Sequence, residues 1–212
     1  MGAHVRPKSQ PARQLHLWWF RGFGASLRAN FTEQEATMHL SYVMTQERGA
    51  TDKLLSALAE RLEADGLRLA GIVQTNTECY DSELCDMDVR VLPAGETIRI
   101  SQSLGPEARG CRLNPEALER AVGQVSAGLA EDPAPQVLLV NKFGKHEADG
   151  RGMRPVIGEA LARGLVVVSG VNRMNVEAFK AFSEGLAQEA EPDVEALAKW
   201  VHSAVAEAAE AG

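Results

Sequence analysis

The stretch Val137–Gly152, VLLVNKFGKHEADGRG, decides how the rest of the chain is read. It opens on Val137–Val140, wholly apolar, the mark of a strand covered on both faces in a parallel sheet. The remainder is crowded with charge: Asn141, Lys142, Lys145, His146, Glu147, Asp149 and Arg151, spaced by Gly144, Gly150 and Gly152. In open α/β sheets, ligands bind beyond the carboxyl ends of the strands, where loops and helix N-termini turn N–H groups outward. Asn141–Gly152 is therefore predicted to be a loop that handles a phosphate or another oxyanion.

Working outward, the chain alternates strand and helix signals from Leu40. Leu40–Met44 is a short apolar run, followed by the loop Thr45–Lys53 and a helix with Leu54, Leu55, Leu58 and Leu62 on one face. Thr51 or Asp52 is the predicted cap of that helix. Leu67–Gln74 reads as the next strand. Asp86–Leu92 and Glu96–Gln102 alternate apolar and polar residues around Pro93-Ala-Gly95, the pattern of a β-hairpin. Asn114-Pro115 is a strong helix start, and that helix is predicted to run to about Ala130. After the charged stretch come a helix Met153–Arg163, a strand Leu165–Ser169, a helix from Asn175 holding Phe179 and Phe182, and an amphipathic helix Asp193–Ala209. Strands separated by helices imply parallel pairing. The predicted architecture is one three-layer α/β domain over residues 38–212, with a mostly parallel sheet and an inserted hairpin.

Composition agrees with this class. The 212 residues suffice for one sizeable core, and aromatics are only 5%, so the interior must be built from Leu, Val, Ala and Ile. Net charge is −7, distributed unevenly: residues 1–36 carry +3, leaving −10 for the rest. So acidic a body argues against nucleic acid as a partner. No apolar run is long enough to cross a bilayer. The odd trio Cys79, Cys85 and Cys111, without a secretory signal, suits reduced thiols in the cytoplasm. Residues 1–37 differ in texture, with Leu17, Trp18, Trp19, Phe20 and Phe23 knotted between basic flanks. They are expected to form a poorly ordered extension, because Met38 opens directly onto the first strand; a basic membrane or partner anchor is the competing reading.

Three segments hold candidate ligand-binding residues. The loop before the first helix has the placement of a phosphate-binding loop, and Gly49, Thr51 and Lys53 are its candidates. It lacks the G-x-x-x-x-G-K-[ST] sequence, in which glycines let the backbone cradle phosphates, lysine reaches the outer phosphates and the hydroxyl binds magnesium. The charged stretch offers Asn141, Lys142, Lys145 and Arg151 as anion ligands, with Glu147 as the candidate catalytic base or as a partner of Arg151. Between hairpin and helix, Gln102, Arg109 and Arg112 are placed to face an anion. The cysteine spacing matches no common zinc pattern, so no metal site is expected, although Cys85, Cys111 and a histidine would make a soft-ligand set.

Several of these segments, Ile72–Gln74, Cys85–Asp88, Ile100–Gly105, Gly110–Glu119 and Asn141–Gly152, resemble a bacterial family of uncharacterised function. That family is described as similar to P-loop nucleoside triphosphatases of the thermophile type, and its genes tend to lie near molybdate-transport genes. The most specific pieces are GCRL at 110–113 and NKFGK-x-E-x-x-G-R-G at 141–152. The resemblance implies a P-loop-NTPase-like fold, a nucleotide or small oxyanion as ligand, ATP or GTP with magnesium as the cofactor, and allows a homodimer. Hydrolytic relatives carry an acidic pair where Asn141-Lys142 stand here, and a later Glu that Glu147 matches. With that pair replaced, the resemblance implies binding with weak or no hydrolysis, and a molybdate-binding or regulatory module as the alternative.

Overall fold

A computed structural model describes residues 38–76, 86–102 and 112–211. The expected extension at residues 1–37, the three cysteines and Arg109 lie outside the described residues.

The sheet is built by seven strands: β1 (Leu40–Val43), β2 (Leu69–Asn76), β3 (Met87–Leu92), β4 (Thr97–Arg99), β5 (Val137–Phe143), β6 (Val166–Val171) and β7 (Gln188–Glu189). Their order is β4-β3-β2-β5-β6-β1-β7. β2, β5, β6, β1 and β7 run parallel, while β3 and β4 close one edge antiparallel. The expected hairpin is thus the edge of the main sheet. The helices are α1 (Ala50–Ala64), α2 (Pro115–Gly128), α3 (Lys145–Ala148), α4 (Arg154–Ala162), α5 (Val176–Phe182) and α6 (Val194–Ala211).

Strand alternation assigns each face. Val137 and Leu139 join Val43, Val166 and Val168 against α1 and α6. Leu138 and Val140 join Leu40, Tyr42 and Val167 against α2, α4 and α5. Every residue of Val137–Val140 is fully buried, which is why the run carries no polar alternation. The expected three-layer, mostly parallel architecture is the one observed.

The differences sit at element ends. β5 does not stop at Val140. It continues through Asn141 and Lys142, with a bulge, to Phe143, which pairs with Val171. The reason is Phe143 itself: buried completely, it meets Phe179 edge-on at 5.0 Å and stacks on Phe182 at 5.7 Å. The predicted charged loop is therefore a strand end followed by the one-turn helix α3. The cap of α1 is also earlier than predicted. Gly49 holds the N-cap with a φ of +78, and no side chain caps the helix; this left-handed conformation suits glycine. Asn114 behaves as expected, its Oδ1 accepting from the Ala117 N–H at 3.1 Å. The two-residue strand β7, where Tyr42 on β1 donates to Glu189 at 2.9 Å, had no sequence signal.

Candidate functional site

The parallel strands deliver the ends of β1, β2, β5 and β6 to one edge of the sheet, and the centre of that edge is Asp52. It is the third residue of α1, and only 3% exposed. Its carboxylate accepts from three groups on neighbouring strands. Asn76 Nδ2, at the end of β2, donates to Oδ2 at 2.6 Å. Lys142 Nζ, at the end of β5, donates to Oδ1 at 3.2 Å. Asn141, with its amide oriented as its neighbours dictate, donates to Oδ1 at 2.9 Å and accepts from the Gln74 backbone N–H at 3.0 Å. Gln74 Nε2 completes the network by donating to Asn76 Oδ1 at 2.7 Å. A buried carboxylate left without partners costs several kcal/mol, so these five side chains stand as one unit.

The start of α1 lies directly beside this unit. The first N–H groups of any helix have no intrahelical acceptor and carry the positive end of its dipole. Thr51 Oγ1 lies 2.7 Å from Thr45 Oγ1, tying the loop to the first turn. The end of β6 packs close: a Cβ on Gly170 would meet Thr51 Cγ2 at 2.8 Å, Leu55 Cδ1 at 2.9 Å and Lys142 Cβ at 3.5 Å. In the phosphate-loop pattern a lysine follows the last glycine directly. Here Ala50 follows Gly49, and Lys53 lies deeper in α1 with an exposed side chain. The ammonium group that reaches the first turn comes instead from Lys142, on β5.

Glu147 sits behind that strand end, 3% exposed. Its Oε2 accepts from the Gly144 N–H at 2.9 Å and its Oε1 from the Met153 N–H at 3.3 Å. Burial pushes its carboxyl above the ordinary range, and those backbone donors pull it partway back. Gly152, with a φ of +60, passes so near that a Cβ there would collide with Glu147 Oε1. Glu147 does not pair with Arg151, which was the alternative to a base role. Arg151 is exposed and lies 3.7 Å from Asp149 instead, because Glu147 points inward and Arg151 out. Beside it, His146 Nε2 and the Gly152 N–H both reach Glu119 Oε1, at 2.7 and 3.0 Å.

Of the candidates named from sequence, Gly49, Thr51, Asn141 and Lys142 are brought together. Lys145 is exposed on α3. Gln102 and Arg112 share the same edge of the sheet but lie out beyond β3 and β4. There Gln102 donates to the Leu113 carbonyl at 2.9 Å and Arg112 to Asp86 at 3.3 Å. Asp52, Asn76 and Gln74 carry no sequence signal as ligands, since an acid in a helix first turn and amides at a strand end are common features. Exposed Arg173 and Met174, in the turn after β6, stand on this edge too.

Magnesium does not fit these residues. It demands carboxylate, phosphate or water oxygens in near-ideal octahedral geometry, and the carboxylate at the site is already covered by an ammonium and two amides. Among the described residues there is no cluster of His, Cys, Asp or Glu suited to a metal ion. A cavity of about 380 Å³ lies at the opposite edge of the sheet, between Arg68, Leu129, Gln136, Arg163, Leu165 and Val205. Both of its arginines donate to main-chain carbonyls, Arg68 to Ala134 and Arg163 to Leu129, and Arg163 also pairs with Glu159.

Residues 40–200 match the family model described as "Protein of unknown function (DUF2478)". The chain belongs to the DUF2478 family. A curated relative of this DUF2478 chain, "Molybdenum import ATP-binding protein ModC 2" of Bradyrhizobium diazoefficiens, is 35% identical over 137 residues. The match takes in 64% of the chain and 15% of that relative, so the chain spans only a small part of its length. Among solved structures, the DUF2478 chain is similar to the solution structure of a human cancer-related nucleoside triphosphatase, with a TM-score of 0.50 and 14% identity. That likeness covers 71% of the chain and 87% of the triphosphatase. It shows the fold: a nucleoside-triphosphatase-like α/β scaffold, as the sequence resemblance implied.

Proposed function

We propose that this protein binds a nucleotide, or another phosphate-like anion, between the start of α1 and the end of β5, with weak or no hydrolysis. The observation that carries the reading is Lys142. It brings an ammonium from β5 to a helix start whose own phosphate-loop lysine is replaced by Ala50. Helix N–H groups and a neighbouring cation form an anion site on physical grounds alone. The triphosphatase-like fold and a relative named as ATP-binding support a nucleotide as the anion. Weak turnover follows from the charge balance. Phosphoryl transfer is catalysed chiefly by metal-assisted positioning and charge neutralisation, and Asn141 and Lys142 supply no carboxylate to hold a metal.

Glu147 has two roles in this reading. Its geometry supports a positioning part, holding Gly144 and Met153 so that the end of β5 keeps its course. A base role requires the α3 turn to open and expose it. Melting curves with ATP and GTP test the binding. A nucleotide bound at about 100 times its Kd adds about 2.7 kcal/mol, a Tm rise of roughly 5–10 °C for a chain of this size. The rise should shrink in Lys142→Ala. No shift with either nucleotide removes the proposal.

A second reading, an oxyanion module serving molybdenum uptake, is favoured by the name of the curated relative. Calorimetric titration with molybdate, tungstate and sulfate separates the two: heat from molybdate and tungstate, with none from ATP, selects it.

A further inference from the structure

Resting on the anion site just described, we infer that the Lys142 ammonium occupies the cation position over Asp52, so that the phosphate chain is held without a metal ion. Oδ1 of Asp52 takes Lys142 Nζ and the Asn141 amide, and Oδ2 takes the Asn76 amide. The carboxylate oxygens a divalent cation would seek are thus facing N–H donors already. An ammonium carries three N–H bonds, of which one is spent on Asp52. Lys142 is about one-third exposed while Asp52 is buried, which leaves the remaining donors for a group at the edge beside the α1 start. A metal ion bridging a carboxylate and a phosphate does the same work; here a tethered cation is built into β5.

The counter-ion at this edge is then supplied by the chain itself, through Lys142. Two consequences can be read separately from whether any nucleotide binds. In wild type, magnesium should leave Tm unchanged, because the Lys142 ammonium already neutralises Asp52 and both of its oxygens face N–H donors. In Lys142→Met, which keeps the aliphatic stem and removes the charge, magnesium should raise Tm, because Asp52 keeps two amide donors but loses its only cation.

The experiment uses the full chain, with ATP as the probe, in excess EDTA and in magnesium. Wild type should bind ATP in EDTA within about threefold of its Kd in magnesium, and Lys142→Met should lose about tenfold or more in EDTA. ATP binding that requires magnesium in wild type overturns the inference. So does a magnesium-raised Tm in wild type, or none in Lys142→Met. Absence of ATP binding in every condition defeats the nucleotide reading alone, and the two Tm comparisons still decide the counter-ion. If Lys142→Met fails to fold, the double variant Asp52→Asn/Lys142→Met removes the buried charge as well. It should lose binding in EDTA without gaining any response to magnesium, and unchanged binding there overturns the inference.

Discussion

Glu147 is a charged residue in the most polar stretch of the chain, yet it lies inside the protein with both oxygens on backbone N–H groups. Burial raises its pKa above the ordinary 4.5. A raised carboxyl pKa means that the folded state holds the proton more tightly than the unfolded one. The stability from that proton is fully present below about pH 4.5 and is lost as pH climbs through the raised value. Glu147→Gln should remove this pH-dependent part, so the wild-type minus variant difference in unfolding free energy should fall with rising pH and then level off. Urea unfolding from pH 4 upward measures it; a flat difference contradicts the assignment. The variant should also cost about 1–2 kcal/mol at all pH values, since Gln offers one acceptor to two donors. None of this is legible in HEADG, where Glu147 reads as one solvated charge among several. Asp52 was hidden for the same reason: its partners Asn76, Asn141 and Lys142 are distant in sequence, and only the strand order brings them to it.

At the scale of elements, periodicity locates most of the helices and strands, because each buries one stripe or two faces in a core. It fails where an end is fixed by distant packing. β5 runs on to Phe143 since that ring is gripped by Phe179 and Phe182 of α5, and nothing local announces the grip. Phe143→Ala should therefore do two things. It should cost about 3–5 kcal/mol in urea unfolding, as for a fully buried aromatic. It should also loosen Lys142 and Asn141, weakening any anion bound there more than Phe182→Ala does, since Phe182 lies outside β5. A cost below about 1 kcal/mol would mean that the aromatic cluster does not fix the strand end. The α1 start is legible in part: Gly49 is visible as a loop glycine, but a cap without a side chain gives no signal for its position. β7 and α3 are too short for any pattern to register.

Across the whole molecule, the doubly covered sheet was readable from its apolar strands, and its likeness to a nucleoside triphosphatase fits that reading. No helix among the described residues is long and apolar enough to cross a membrane. Among the described residues, two places to compare for an anion are the edge at Asp52 and Lys142 and the cavity at the opposite edge beside Arg68 and Arg163. The first offers the start of α1 and a partly exposed ammonium held over Asp52, while the second offers two arginines that also donate to main-chain carbonyls. Amide chemical shifts mapped residue by residue as ATP is added, in EDTA, report directly on which edge is used. The largest changes should fall on Gly49–Lys53 and on Asn141–Gly144. Changes centred on Arg68, Gln136 and Arg163, or none anywhere, would contradict an anion site at the start of α1.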